Sequence, residues 1–280
     1  MGTVLETSGL YEAVYDQIKR SVDSCGSVTL ASVIFGNDYS SSVYFTQQQK
    51  RADQLGINYL PVRLVEEISF DEFQNKIYQL NDDPSVDGII INKPFVQGWS
   101  EEQAFSLIDP NKDVEGMTPY NLGMLFMGSP KFVSPTVLSA LTLLKSVPDI
   151  DVYGKRAVIV GASVLIGKPL AVLLTDMFLT VSIAHIATYE KGMLAEYVSG
   201  SDIVISAVGK PGIIKGEWIK EGSVVIDVGV GCKDGRICGD VEFDTAKDRA
   251  AYITPVPGGV GKLTTLFLFK NLIEAKQDLK

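Results

Sequence analysis

The 280-residue chain predicts an α/β fold of two three-layer domains, the second a Rossmann-like doubly wound parallel sheet. Three observations lead there. Short apolar runs alternate with longer amphipathic stretches along most of the chain, as in βα units that build a parallel sheet. One such run, KRAVIVG, passes straight into a glycine-bearing turn and a helix. A stretch rich in Pro, Gly, Asn and Asp, PNKDVEGMTPYNLG (Pro110–Gly123), lacks periodicity and reads as a loop and domain crossing.

In the first half, SVTLASVIFG (Ser27–Gly36) reads as a buried strand and SSVYFTQQQKRADQLG as the helix after it. NYLPVRL is the second strand, SFDEFQNKIYQLNDD the second helix, and VDGIIINKP (Val86–Pro94) a third strand ended by its proline. In the second half a helical patch, TVLSALTLLKSV, precedes the strand KRAVIVG and the helix KPLAVLLTDM. The strand TVSIAH, a helix near MLAEYVSG and the strands DIVISAV and SVVIDVG follow. ITPVPGGVGKLT is a Gly/Pro loop, and LFLFKNLIEAK a terminal amphipathic helix. The expected domains are residues 1–122 and 123–261, with a C-terminal helix at 262–280.

Composition narrows the function. Hydrophobic residues make up 46% and charged residues 21%, which suits a soluble globular protein. A formal charge of −9 argues against nucleic acid as a partner, because phosphate contacts need a cationic face. A small anion in a local cationic pocket stays open. No apolar run has the length of a membrane span and the N-terminus does not read as a signal peptide, so a cytoplasmic location without membrane contact is expected. Cys25, Cys232 and Cys238 form no CxxC pair and are expected as reduced thiols. His185 is the one histidine, so no metal site is expected.

The strongest local signal is KRAVIVGASVLIGKPLAVLL (Lys155–Leu174). Gly161, Ser163 and Gly167 are small enough for backbone to approach a pyrophosphate, and the following helix offers N–H groups and a positive dipole. Pro169 is tolerated in a first helical turn. The spacing is GxSxxxGxP and not GxGxxG, so a ligand-free strand–helix turn is the alternative. The next strand ends AHIATYEK, with no acid at its tip for ribose hydroxyls. Glu190 lies too far on, and His185 there reads as packing or capping before catalysis.

SAVGKPG (Ser206–Gly212) and VIDVGVG (Val225–Gly231) end buried strands with glycine. In a doubly wound sheet such ends line the ligand crevice, which puts Val208, Gly209 and Val230 along a cofactor. Ordinary strand-terminating glycine is the alternative. In TPVPGGVGKLTT (Thr254–Thr265) two prolines stiffen a loop whose glycines permit close approach, favouring a ligand wall over a plain connector. VYFTQQQK (Val43–Lys50) sets Tyr44 one helical turn before an uncharged amide, Gln48.

Taken together, these pieces resemble the methylenetetrahydrofolate dehydrogenase/cyclohydrolase family, over nearly the whole chain. TPVPGGVG, VIDVG and GDV (Gly239–Val241) carry the resemblance, with GASVLIGKP where the family has GRSxxVGxP and DPNKDVEG where it has KDVDG. The resemblance implies tetrahydrofolate derivatives as substrates, an N-terminal domain facing a Rossmann domain across a cleft, a C-terminal helix returning to the first domain, and a homodimer. It assigns pterin stacking to Tyr44, with Ser41 and the loop Pro255, Val256, Pro257, Gly258 and Gly259 walling the folate. Gln48 stands where the family's hydrolytic lysine does, Asn92 where its supporting glutamine does, and Glu115 where an aspartate holds the pterin. The coenzyme would run along Gly161, Ala162, Ser163, Ile166, Gly167, Ile186, Ala207, Val208, Gly209, Val230 and Thr254.

The departures bear on the two family reactions differently. Hydride transfer from the methylene bridge to nicotinamide C4 moves no proton, so orientation supplies much of the catalysis. Hydrolysis of the methenyl product needs a proton-transfer group of tunable pKa, which an amide cannot be. A dehydrogenase with weak or absent cyclohydrolase is therefore expected, close in pattern to the monofunctional NAD-dependent branch. A bifunctional enzyme, with Lys93 or a water replacing the lysine, is the alternative. Lys50 falls roughly 240° from Tyr44 around a helix of ~3.6 residues per turn and should face away. Ala162 and Ile186 replace an arginine and a serine that hold the ribose phosphate of NADP in the family, which favours NAD and leaves NADP open. A non-catalytic folate or nucleotide binder, and a generic Rossmann dehydrogenase, are the remaining readings.

Overall fold

The structure, a computed structural model, describes residues 2–278 apart from Asn37, Asp38 and Pro94, and without the side chains of residues 39–44. The chain forms β1 (Thr3–Val4), α1 (Ser8–Cys25), β2 (Thr29–Phe35), α2 (Tyr39–Leu55), β3 (Asn58–Leu64), α3 (Phe70–Asp82) and β4 (Gly88–Ile91). The helices α4 (Glu101–Phe105), α5 (Pro119–Phe126) and α6 (Pro135–Lys145) follow. Next come β5 (Arg156–Val160), α7 (Gly167–Asp176), β6 (Thr180–Ala184), α8 (Ile186–Glu190), α9 (Leu194–Ser199), β7 (Ile203–Ser206) and β8 (Val224–Asp227). The hairpin β9 (Gly231–Lys233) and β10 (Arg236–Cys238), then α10 (Phe243–Arg249), β11 (Tyr252–Ile253) and α11 (Val260–Asp278), complete the order.

Two compact units result. One comprises Glu12–Pro135 with Thr265–Lys280, the other Met1–Tyr11 with Thr136–Thr264. The divisions fall at Pro135 and Thr264, later than the expected 122 and 261. Residues 1–11 join the second unit because β1 adds to its sheet, pairing in parallel with β11 (Thr3↔Tyr252, Val4↔Ile253).

The first unit is built on a three-stranded parallel sheet, β3-β2-β4. β2 is its central strand, and TLASVIF is apolar except for Thr29 and Ser32, as a strand covered on both faces requires. α3 starts in a capping box: Ser69 N–H donates to the Glu72 carboxylate (3.0 Å) and Glu72 N–H to Ser69 Oγ (3.3 Å). It buries Phe73, Ile77 and Leu80, one stripe at helical spacing. At its other end the buried Lys112 ammonium donates to the carbonyls of Leu80 (3.2 Å), Asn81 (2.6 Å) and Asp83 (2.8 Å), a cation on a helix C-terminus.

The expected loop at 110–123 proves partly helical. Pro119 opens α5, and Thr118 Oγ1 caps it by accepting Asn121 N–H (3.2 Å). The C-terminal part of α11 is tied to this unit by Asn271, whose Nδ2 donates to Val114 O (2.8 Å) and Val133 O (2.9 Å). The Lys276–Asp87 ion pair (2.9 Å) adds a second tie.

The second unit carries a six-stranded sheet, β1-β11-β8-β7-β5-β6, parallel at every pairing. The chain runs from β5 outward to β6, then crosses back to place β7 on the other side of β5. That makes the carboxyl ends of β5 and β7 a topological switch point, where doubly wound sheets open a crevice. Val158, Val204 and Val225 from adjacent strands pack with Leu194 and Val198 of α9 and Ile214 and Ile219 into one buried core.

Candidate active site

Gly161 ends β5 in a left-handed conformation (φ +125°), and a Cβ there would lie 2.6 Å from Ala207 O. A Cβ on Gly167 would overlap Gly161 O. Both glycines are needed because the start of α7 sits directly on the strand end. Ser163 Oγ accepts Ile166 N–H (3.1 Å), which fixes the turn. In front of it opens a cavity of about 280 Å³, lined among others by Gly161, Ala162, Ser163, Ile186, Ala207 and Val208. The turn therefore has the form a pyrophosphate needs, with backbone exposed and no side chain filling the space.

The other predicted coenzyme residues lie differently. Ile166 is half-buried beside the turn, while Gly209 and Val230 are exposed outside this cavity. Thr254 is wholly buried, and its hydroxyl accepts the Asp227 N–H (2.7 Å). That oxygen is engaged in holding β8 to the segment after β11. His185 and Glu190 are exposed.

The motifs VIDVG and GDV acquire a physical reason that the sequence did not disclose. They place two carboxylates, Asp227 and Asp240, in the interior at 3% and 0% exposure. Asp227 Oδ1 accepts Gly229 N–H (3.1 Å) and Asp240 N–H (3.2 Å), and Oδ2 accepts Val241 N–H (2.9 Å). Asp240 Oδ2 accepts Ser206 Oγ–H and Val208 N–H, each at 2.7 Å. A Cβ on Gly229 would overlap the Asp240 carboxylate, and one on Gly239 the Asp227 carboxylate. The glycines make room for the acids, and Asp240 in turn fixes Val208 on the cavity wall.

The loop at Pro255–Gly259 folds back on itself. The Val256–Pro257 peptide is cis, Gly258 has φ +107°, and a Cβ on Gly259 would overlap Pro255 O. Thr7, which no motif singles out, donates its hydroxyl to Gly258 O (2.8 Å). Val256 lines a second cavity of about 250 Å³ with Lys215, Asp227, Lys233, Cys238 and Phe243.

In the first unit, Gln48 is 1% exposed and Lys50 is exposed, as the helical period requires. The side chains of Ser41 and Tyr44 lie outside the described residues. Tyr59 Oη stands 2.7 Å from Gln48 Oε1 and 2.8 Å from Ser32 Oγ, and Asn92 Nδ2 donates to Ser32 Oγ (2.8 Å) and Val33 O (3.0 Å). One hydroxyl has one proton, so the chain runs in one sense: Asn92 N–H to Ser32, Ser32 O–H to Tyr59, Tyr59 O–H to the Gln48 carbonyl. Gln48 Nε2 is buried without a partner among the described residues. Gln48 and Asn92 are thus the two ends of one network. Ser32, a polar residue inside an apolar strand, was the sequence signal for it.

Lys93 lies beyond the end of β4, where strand alternation no longer sets its direction, and pairs with Glu101 (2.6 Å) at the surface. Asp113 does structural work: its carboxylate accepts Met117 N–H (3.0 Å), Thr118 N–H (2.7 Å) and Asn121 Nδ2–H (2.8 Å). Glu115 keeps part of its surface open. Even so, the atoms crowded around its carboxyl push its pKa up to about 7, with Asp113 adding to the rise and Lys93 opposing it.

Asp227 is likewise pushed up to about 7, chiefly by burial and also by Asp240, against three backbone N–H donors. Both folded pKa values lie above the ordinary range, so the folded state holds these protons longer than the unfolded chain. Their stabilising effect is full at acid pH and is lost as pH rises through about 7. Stability to urea is expected to fall between about pH 4 and 7, by up to about 3 kcal/mol for Glu115 and up to about 4 kcal/mol for Asp227. Glu115→Gln should flatten that decline, and an unchanged profile would contradict it.

Among the described residues no group of three or more His, Cys, Asp or Glu side chains could hold a metal ion, and no helix is long and apolar enough to cross a membrane. Comparison with known proteins bears on the whole chain. Residues 134–280 match the family model described as tetrahydrofolate dehydrogenase/cyclohydrolase, NAD(P)-binding domain, and residues 5–115 match its catalytic domain. The chain is 39% identical to the bifunctional protein FolD of Clostridium botulinum (strain Eklund 17B / Type B), over 99% of both chains. It is similar to the crystal structure of bifunctional FolD from Campylobacter jejuni (TM-score 0.94, 33% identity, 99% of both chains). The Trypanosoma brucei enzyme, solved with NADP cofactor and inhibitor, is also similar (TM-score 0.92, 32% identity, 99% of this chain and 98% of that one). With both domain models matched in order and relatives this similar along its whole length, the chain belongs to the tetrahydrofolate dehydrogenase/cyclohydrolase family.

Proposed function

We propose that this chain oxidises methylenetetrahydrofolate to methenyltetrahydrofolate by hydride transfer to a nicotinamide coenzyme. The observation that carries the proposal is the glycine turn at Gly161 and Gly167 at the switch point, with the cavity of about 280 Å³ that opens in front of it. Gly161, Ser163, Gly167, Ala207 and Val208 would hold the coenzyme, which supplies the hydride acceptor when bound. The protein's part is to orient donor and acceptor and exclude water, since no proton moves in this step. Ala162 and Ile186 favour NAD, whereas the NADP bound to the T. brucei relative favours NADP. We expect both to be used, with NAD preferred. A homodimer in the cytoplasm accords with the family resemblance.

For the family's second reaction, the names of the relatives favour a bifunctional protein over the dehydrogenase-only expectation. Bifunctionality is therefore the better supported reading. One specific observation qualifies it: the side chain at position 48 is a buried amide whose carbonyl is engaged by Tyr59. We infer that both reactions are carried and that hydrolysis is the slower. The test uses purified full-length protein and methylenetetrahydrofolate, with NAD and NADP in parallel, followed by methenyltetrahydrofolate alone. Coenzyme reduction is expected with NAD above NADP, and methenyl loss modestly faster than in buffer. No reduction with either nucleotide would overturn the dehydrogenase; methenyl loss at the buffer rate would return the protein to a single activity.

A further inference from the structure

The cavity beside the Gly161 turn holds a cation that has been given no role above, the lysine of SAVGKPG. Lys210, which follows β7, and Tyr189, in α8 just beyond the tip of β6, both line it. The Lys210 ammonium sits 4.9 Å from the centre of the Tyr189 ring, within the range of a cation–π contact. Among the residues lining this cavity Lys210 is the only lysine or arginine, and none is Asp or Glu. Among the described residues no ion pair engages it. Around it lie His185, exposed at the tip of β6, and the apolar Ile186 (65% exposed) and Val208 (44%).

The position of that amine is what gives it meaning. In a doubly wound sheet the tip of the second strand faces the adenosine ribose, where an acid holds the 2′-hydroxyl or an arginine accepts the 2′-phosphate. Here that tip is Ala184 of β6, followed by the imidazole of His185 and by Ile186, so the tip carries neither an acid nor an arginine. Tyr189 lies one turn further along, and it holds the Lys210 ammonium toward the same end of the cavity. A flexible amine resting on a ring face can swing to a phosphate dianion at little cost, because an exposed cation–π contact is weak.

We propose that Lys210, steered by Tyr189, is the residue that lets this protein use NADP beside NAD. It pairs with the 2′-phosphate when NADP is bound, and use of NADP rests on it while use of NAD largely does not. The inference rests on the coenzyme-binding reading above.

The test is a split between ligands. In the full-length protein, Lys210→Met should raise KM for NADP roughly tenfold, as loss of one charge-assisted contact does, with a much smaller change for NAD. Calorimetric titration with adenosine 2′,5′-bisphosphate and with 5′-AMP, needing no turnover, should show the same split. Lys210→Arg should keep the parent's affinity for the 2′-phosphate ligand. Tyr189→Leu should give part of the loss, with Tyr189→Phe recovering it. Equal weakening of both ligands, or of neither, would overturn the proposal. Lys210-dependent binding of the 2′-phosphate without any coenzyme reduction would sustain this inference while sinking the dehydrogenase reading.

Discussion

Gln48→Lys is expected to raise the rate of methenyltetrahydrofolate hydrolysis by about 10²–10⁴, the range a positioned acid–base group contributes. The amide now present can take no proton from an attacking water and give none to a leaving nitrogen. Its carbonyl is also the terminal acceptor of the chain that begins at Asn92 and runs through Ser32 and Tyr59. An ammonium at position 48 can only donate, so the network must reverse and the side chain at 92 must present an oxygen. The Asn92 Nδ2 bond to Val33 O (3.0 Å) resists that turn. Gln48→Lys combined with Asn92→Gln should therefore exceed the single variant, because the longer amide can reach Ser32 with its oxygen. Stopped-flow decay of the methenyl chromophore reads both rates. If neither variant hydrolyses faster than the parent, position 48 does not limit the reaction, and the proposed imbalance between the two activities falls.

Gly229→Ala and Gly239→Ala are expected to cost about 4 kcal/mol each, or to prevent folding. The new methyl on residue 229 would occupy the position of the Asp240 carboxylate, and on residue 239 that of Asp227. Displacing Asp240 breaks its bonds from Ser206 Oγ and Val208 N, both 2.7 Å. Each charge-assisted bond of this kind contributes about 1.5–3 kcal/mol, and the carboxylate left behind would be buried and unpaired. Val208 would move with it, so the cavity it lines should lose its shape where the fold survives. Gly261→Ala is the control: nothing lies within 4 Å of its Cβ position, and it sits in a helix, where alanine is the better residue. Urea unfolding of the three variants should separate the first two from the third. A Gly229→Ala protein as stable as the parent would show that the acid is not held as described.

The alternation of strand and helix, the glycine turn after β5 and the apolar character of β2 were legible because each is set by local sequence. Helix α1 was equally legible in principle, since Leu10, Val14, Ile18 and Val22 recur every four residues, yet those residues precede the first expected strand. What could not be read were the partners. Nothing local says that Lys112 closes the carbonyl end of α3, that Thr7 holds Gly258, or that Thr254 serves the Asp227 backbone. Each links segments far apart in the chain, and a hydrogen bond leaves no periodicity behind. VIDVG and GDV could be recognised as motifs, but only the structure explains them, as two glycines yielding space to two acids. For the same reason Gln48 and Asn92 read as separate departures from a pattern until Ser32 and Tyr59 joined them.

The central claim is hydride transfer from the folate to the nicotinamide ring. Methylenetetrahydrofolate carrying deuterium on its methylene bridge, incubated with the protein and NAD, tests it most directly by mass spectrometry of the reduced coenzyme. One deuterium is expected in each reduced nicotinamide and the other on the methenyl product. Reduced coenzyme without deuterium, or no reduced coenzyme at all, would contradict it.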